Sequence, residues 1–295
     1  MDPSGIVLSR QYLFDDPTPE KATEWGEQLW KRLQVILVAP PPAALRDPNS
    51  YAFVNDRMVN FVLARLVVRG CQIDAATVGL PEDLRLEQWA EAVDDVLDVP
   101  DNTRGELAWL LSRICPRVRT KGAELTPAQH RRVATFAERK GHSCYICGRA
   151  LIHDALPPAP GGKPDWRAFE VDHIFPQARG GGRSPDNLAA CCQSCNKYKA
   201  VLLSYADLPI ESAITPATSE VGVRSTFGGQ MKFALVWKQR GACAVCETPF
   251  YEADDRRLYA YRGDANDAYH FLNVRVACGT CGDARAAQLR GVFLQ

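Results

Sequence analysis

Apolar residues recur every fourth position at Trp25, Leu29, Leu33 and Leu37, the stripe of a helix laid against a core. Thr18-Pro19-Glu20 supplies its start, with Thr as cap and Pro in the first turn. Pro40-Pro41-Pro42 ends it. The pattern predicts a second helix over residues 51–69, stopped by Gly70. Two shorter helices follow over 83–97 and 103–115, each closed by a nearby proline. This region reads as all-α. It contains no histidine and no glycine-rich phosphate loop, so its residues announce no chemistry.

The pattern changes after residues 116–125, which carry Arg117, Arg119 and Lys121 without clear periodicity and mark a boundary. Thr126-Pro127 opens another helix, which runs to Lys140 and stops at Gly141. Beyond it, short apolar runs are broken by glycine and proline, as in small strands and turns. Residues 157–164, PPAPGGKP, read as a loop, and a polar stretch over 211–224 separates two later segments. The expected class is α+β, with a helical domain at 1–120 and smaller modules at 121–210 and 211–295.

Composition is that of an ordinary soluble protein, 46% apolar and 24% charged. No apolar run approaches the roughly 20 residues of a membrane-spanning helix. The first residues lack the basic start and apolar core of a leader, so the expected location is cytoplasmic. Net charge is zero but uneven: residues 1–120 hold 13 basic against 18 acidic side chains, and the remainder reverses the balance. A basic second half suits a polyanionic partner, though solvated surfaces alone also produce such an imbalance.

Eleven cysteines are many for a reducing compartment. Eight form four CxxC pairs: Cys144/Cys147, Cys192/Cys195, Cys243/Cys246 and Cys278/Cys281. Paired knuckles favour metal over disulfides, and four thiolates match the tetrahedral preference of zinc. Cys71, Cys115 and Cys191 are left over and read as buried small hydrophobes. Cys191 could replace Cys192 as a ligand at the cost of the CxxC spacing.

Between the first two knuckles run Glu170-Val171-Asp172-His173-Ile174-Phe175-Pro176, then Gly180-Gly181-Gly182, then Asn187-Leu188, and finally Cys195-Asn196-Lys197-Tyr198-Lys199. In that order they resemble the HNH endonucleases, whose ββα-metal fold is often braced by a zinc in two CxxC pairs. The resemblance covers about residues 126–205 and leaves out the helical region. It implies that the Asp-His pair stands at the end of a strand, which answers a difficulty. On a regular strand, neighbours point to opposite faces.

The physical roles stand beside that resemblance. His173 can accept a proton from water near neutral pH. Asp172 and Asn196 offer hard oxygens to a catalytic divalent cation, and such a sparse set suits magnesium, which keeps several waters, or manganese. Asn187 holds the loop so that His173 faces substrate. The glycines at 180–182 permit positive φ and close backbone approach. Arg179, Arg183, Lys197 and Lys199 are the expected phosphate-facing cations. Glu170 either orients a neighbour or lies near the metal.

The second pair of knuckles repeats the clamp. Asn273 precedes Cys278 by five residues, as Asn187 precedes Cys192. Gly282 stands where Asn196 would be, and the strand candidate LYAYR at 258–262 has no Asp-His. The segment reads as an HNH-like unit without metal oxygens or base, a second zinc staple. His270 reads as a packed or surface residue. Arg256, Arg257, Arg262 and Arg275 are candidate backbone contacts to DNA.

The leading expectation is a metal-dependent HNH endonuclease acting on DNA, with zinc in both clamps and an antiviral or restriction-type role by family habit. One such site cuts one strand. The competing class is a non-cleaving, zinc-stabilised nucleic-acid-binding or adaptor protein. A third reading gives the acidic helical region a protein partner.

Overall fold

The computed structural model describes residues 24–37, 48–120, 124–139, 143–153, 165–208, 229–239, 241–250, 252–255, 257–267 and 269–294. Several expectations lie outside them: the helix start at Thr18, the prolines at 40–42, Lys121, Lys140 with Gly141, the loop at 157–164, the polar stretch at 211–224, and Arg256. The described residues fall into two compact units. One is the chain up to Gln129 together with His173–Leu188; the other is His130–Asp172 with Ala189–Gln295.

Among the described residues, four helices build the first unit: α1 (Trp25–Ile36), α2 (Pro48–Ala76), α3 (Glu82–Asp94) and α4 (Asp101–Arg119). The predicted stripe on α1 buries Leu29 and Leu33, while Trp25 packs edge-to-face on Trp109 at 5.1 Å. Leu63, Leu66, Trp89, Leu107, Leu111 and Ile114 complete the core. Buried Trp30 donates its indole N–H to Asn60 Oδ1 at 2.7 Å, so no polar atom is stranded there.

Two expected helix ends move. α2 runs through Gly70, which serves helix packing instead of a stop: a Cβ there would lie 2.6 Å from Cys115 Sγ. α4 likewise continues through Pro116. Proline removes one amide hydrogen bond, but the added turn carries Arg119 to 2.7 Å from Asp74, a buried carboxylate that Arg85 also meets at 2.5 Å. Breaking a buried pair is costly, and the extra turn completes this one. Cys115 is buried, as expected, and Cys71 is half-buried. No described helix is long and apolar enough to cross a membrane.

α5 (Pro127–Arg139) starts with the predicted cap. Thr126 Oγ1 accepts from Gln129 N at 3.3 Å, and Gln129 Oε1 accepts from Thr126 N at 2.9 Å, a reciprocal cap. β1 (Phe169–His173) and β2 (Leu188–Cys192) then form a two-stranded sheet, followed by α6 (Gln193–Lys199). After α7 (Gly229–Lys238) comes a second sheet in the order β4-β3-β5, from β3 (Leu258–Arg262), β4 (Val274–Cys278) and β5 (Val292–Leu294). α8 (Gly279–Leu289) links its last two strands. The pairing is antiparallel, with Leu258 opposite Cys278 and Arg262 opposite Val274. The class is α+β, a helical region followed by small sheets and helices around two cysteine clusters.

Candidate functional site

The first clamp is built from two turns that bring thiols to one point. Cys144 and Cys147 lie on a tight turn closed by Cys144 N donating to Arg149 O at 2.8 Å, with Gly148 at φ +66°. Tyr145 N donates to Ala190 O at 3.0 Å and ties that turn to β2. Cys192 caps α6, and Cys195 stands one turn into it. The four sulfurs lie within 4.8 Å of one another, and Cys147 Sγ is 3.9 Å from Cys192 Sγ. A zinc–sulfur bond of about 2.3 Å requires tetrahedral edges of about 3.8 Å, so the site suits zinc. Cys192 belongs to the cluster, and Cys191 is buried beside it, as its expected role as a small hydrophobe requires.

Alternation along β1 puts Glu170 and Asp172 on one face. One helical turn of α6 meets that face. Asn196 Nδ2 donates to Glu170 Oε2 at 2.6 Å. Three residues on, Lys199 Nζ lies 3.0 Å from Asp172 Oδ2. The Tyr145 hydroxyl donates to the same carboxylate at 2.6 Å. Burial, and then the Asp172 charge, push the Tyr145 phenol well above its ordinary pKa, so it stays a donor. Asp172 is 5% exposed and Lys199 is 1% exposed. Lys199, expected at the phosphates, is thus buried against Asp172.

His173 ends β1 and begins the loop that groups with the helical unit. Gln177, in a 3-10 turn over Gln177–Arg179, places its amide 3.0 Å from His173 Nε2. Either amide atom satisfies that ring nitrogen, according to the tautomer. Asn187 clasps the loop through three hydrogen bonds. Its Oδ1 accepts from Phe175 N at 2.6 Å, and its Nδ2 donates to Phe175 O at 3.0 Å and Gly182 O at 2.8 Å. Gly180 adopts φ +90°, the left-handed conformation the glycine run permits. Lys197 is exposed and Arg179 is partly exposed. Arg183, also partly exposed, donates to Glu124 O at 2.9 Å.

The second clamp repeats the main bonds of this construction, without the thiol cap that Cys192 gives its helix. Cys246 Sγ is 4.0 Å from Cys278 Sγ, and the four thiols again lie within 4.8 Å. Cys243 N donates to Thr248 O at 3.0 Å, and Ala244 N to Val276 O at 2.9 Å, matching the bonds of Cys144 and Tyr145. Asn273 Oδ1 accepts from Asp264 N at 2.8 Å, and its Nδ2 donates to Asp264 O at 3.0 Å, the same clasp that Asn187 makes on Phe175.

The matching bonds set the two segments in register. Tyr259 then stands for Glu170, Tyr261 for Asp172, Arg262 for His173, Gly282 for Asn196 and Arg285 for Lys199. Packing explains one replacement: a Cβ on Gly282 would lie 2.6 Å from Tyr259 Cβ. Arg257 is engaged by Asp255 and Asp283, Arg262 lies over the Tyr269 ring, and Arg275 is exposed. His270 pairs with Asp267 at the surface, 2.7 Å away.

Sequence reading missed Tyr145 and the partner of Lys199. Tyr145 lies inside the knuckle, where a CxxC pattern assigns no role to the intervening residues. Residues 144–203 match the family model of the HNH endonucleases. The matched segment spans the first clamp, both strands and α6. Searches of curated proteins and of solved structures found no match to the chain.

Proposed function

We propose that the chain is an HNH endonuclease that hydrolyses phosphodiester bonds of DNA. The observation that carries this reading is the family match over residues 144–203, within which His173 ends a strand whose loop is clasped by Asn187. His173 takes the proton from the attacking water, with Gln177 fixing its ring. Asn187 keeps the loop backbone in place, so the imidazole is presented without reorganisation. Lys197, Arg179 and Arg183 meet the DNA backbone.

The donor set fits a hard cation. Glu170, Asp172 and Asn196 supply oxygens along one strand–helix seam, and the Glu170–Asn196 end is the less encumbered, because Lys199 and Tyr145 engage Asp172. A magnesium or manganese ion held there would neutralise charge developing on the phosphoryl and leaving oxygens. Zinc in the two thiolate clamps stays outside the chemistry and pins the peptide between the knuckles.

The second module carries Tyr259, Tyr261, Arg262 and Gly282 where the first carries Glu170, Asp172, His173 and Asn196, and we assign it a scaffolding role. Defence against foreign DNA suits such a nuclease. The test is nicking of supercoiled plasmid by zinc-loaded protein with magnesium or manganese. Wild type should nick, and His173→Ala and EDTA-treated protein should not. Equal nicking by wild type and His173→Ala would leave a non-cleaving nucleic-acid-binding module as the better reading.

A further inference from the structure

The loop that follows His173 is held from outside the matched segment, by residues near the start of α1. Glu24 is buried, at 4% exposure. Its Oε1 accepts a hydrogen bond from Ser184 Oγ, and its carboxylate fills the space a side chain at Gly182 would need. Gly26 N donates to Gly180 O at 3.3 Å. A Cβ on Gly26 would lie 2.7 Å from the Phe175 ring and closer still to Arg179 O. From the other side, Ile114 of α4 fills the space below Gly180, where a Cβ would sit 2.6 Å from Ile114 Cγ2.

These contacts converge on the turn that orients the imidazole. Arg179 ends the 3-10 turn that begins at Gln177, and Gln177 meets His173 Nε2. Phe175 lies two residues past His173 and is fully buried. Nothing in α1 needs to touch substrate to set where the ring points. A buried carboxylate aimed at a loop serine and a glycine required by close backbone approach are specific features, beyond what burial of an apolar face would need.

We infer that Glu24 and Gly26 are positioning residues for His173, so that the helical unit is a working part of the nuclease. The inference rests on the proposed function for its effect on catalysis, but the positioning itself is measurable without catalysis. Displacing a catalytic group by about 1 Å costs on the order of 100-fold in rate.

The experiment uses full-length, zinc-loaded protein carrying Gly26→Ala, Glu24→Gln or Glu24→Asp. Val93→Ala, which opens a cavity at a fully buried position on α3 in the same bundle, controls for general destabilisation. Two readouts are taken: kcat and KM for DNA nicking, and the imidazole nitrogen NMR shifts of His173, assigned by their loss in His173→Ala. Gly26→Ala and Glu24→Gln should move the His173 shifts and lower kcat about 100-fold with KM little changed. Glu24→Asp should recover part of the rate, and Val93→Ala should keep wild-type kcat and shifts.

Unchanged His173 shifts and rates in Gly26→Ala and Glu24→Gln overturn the positioning role. Equal changes in Val93→Ala overturn it too, in favour of general loosening. Absence of His173-dependent nicking in wild type overturns the nuclease reading alone, since the ring shifts still decide the positioning.

Discussion

Replacing Lys199 with Met should destabilise the first module by more than any surface ion pair could. Asp172 and Lys199 are both buried, and the ammonium lies 3.0 Å from the carboxylate. At an effective dielectric of about 20, two unit charges at that separation attract by about 5.5 kcal/mol. Methionine fills much of the lysine volume but leaves a buried carboxylate that still accepts from the Tyr145 hydroxyl. Removing one partner of a buried pair costs roughly 3–5 kcal/mol, and that is the expected loss.

The half-exposed Arg69–Asp95 pair at 2.8 Å provides the contrast. Arg69→Ala should cost under about 1 kcal/mol. Urea unfolding in a zinc-saturated Cys246→Ser background, where the first clamp holds the one remaining zinc, followed by zinc release to a chromogenic indicator, reads the first module. Elemental analysis of each variant before unfolding guards against zinc loss during preparation. The double variant Asp172→Asn/Lys199→Met should regain most of the loss, because no buried charge is then left unpaired. A single-variant cost under about 1 kcal/mol, or a double variant no better than Lys199→Met, would refute the buried-pair argument.

Elemental analysis should find two zinc ions per chain, falling to one in Cys147→Ser and to one in Cys246→Ser, since each cluster needs all four thiolates. Asn187→Ala and Asn273→Ala remove the same type of clasp. Each should cost about 1–3 kcal/mol in denaturant titrations, yet Asn187→Ala should lose nicking and Asn273→Ala should retain it. Gly282→Ala should cost about 1–3 kcal/mol by thermal melting, as overpacking against Tyr259.

The sequence made both clamps readable because metal geometry constrains spacing: two thiolates of one turn must reach one ion, and CxxC is the pattern that does so. The stripe through Leu29 and Leu33 was readable for the same kind of local reason. The helix ends at Gly70 and Pro116 were not, because the deciding contacts are tertiary. Gly70 answers to Cys115, and the turn beyond Pro116 answers to Asp74. Lys199 looked like one of four similar surface cations; its burial depends on a carboxylate 27 residues earlier across the strand–helix seam. The hold on the loop was hidden most deeply. Glu24 and Ser184 are 160 residues apart, and neither carries a periodicity or motif that points to the other.

The same contrast separates the two modules. Their clamps match in CxxC spacing and in the backbone bonds of the knuckles, so the scaffold repeats. The row of polar groups between β1 and α6 does not repeat, since two tyrosines and a glycine take those places in the second copy. A scaffold retained without its row of acids and amide is what zinc-driven folding permits, because metal binding supplies stability without regard to the chemistry between the knuckles.

The most direct test of the central claim is single-turnover cleavage of a defined DNA duplex by zinc-loaded wild type and His173→Ala, with and without magnesium. Wild type should cleave in a cation-dependent manner, and the variant should be at least about 100-fold slower, the usual scale of a lost general base. Cleavage at equal rates in the two proteins would contradict it.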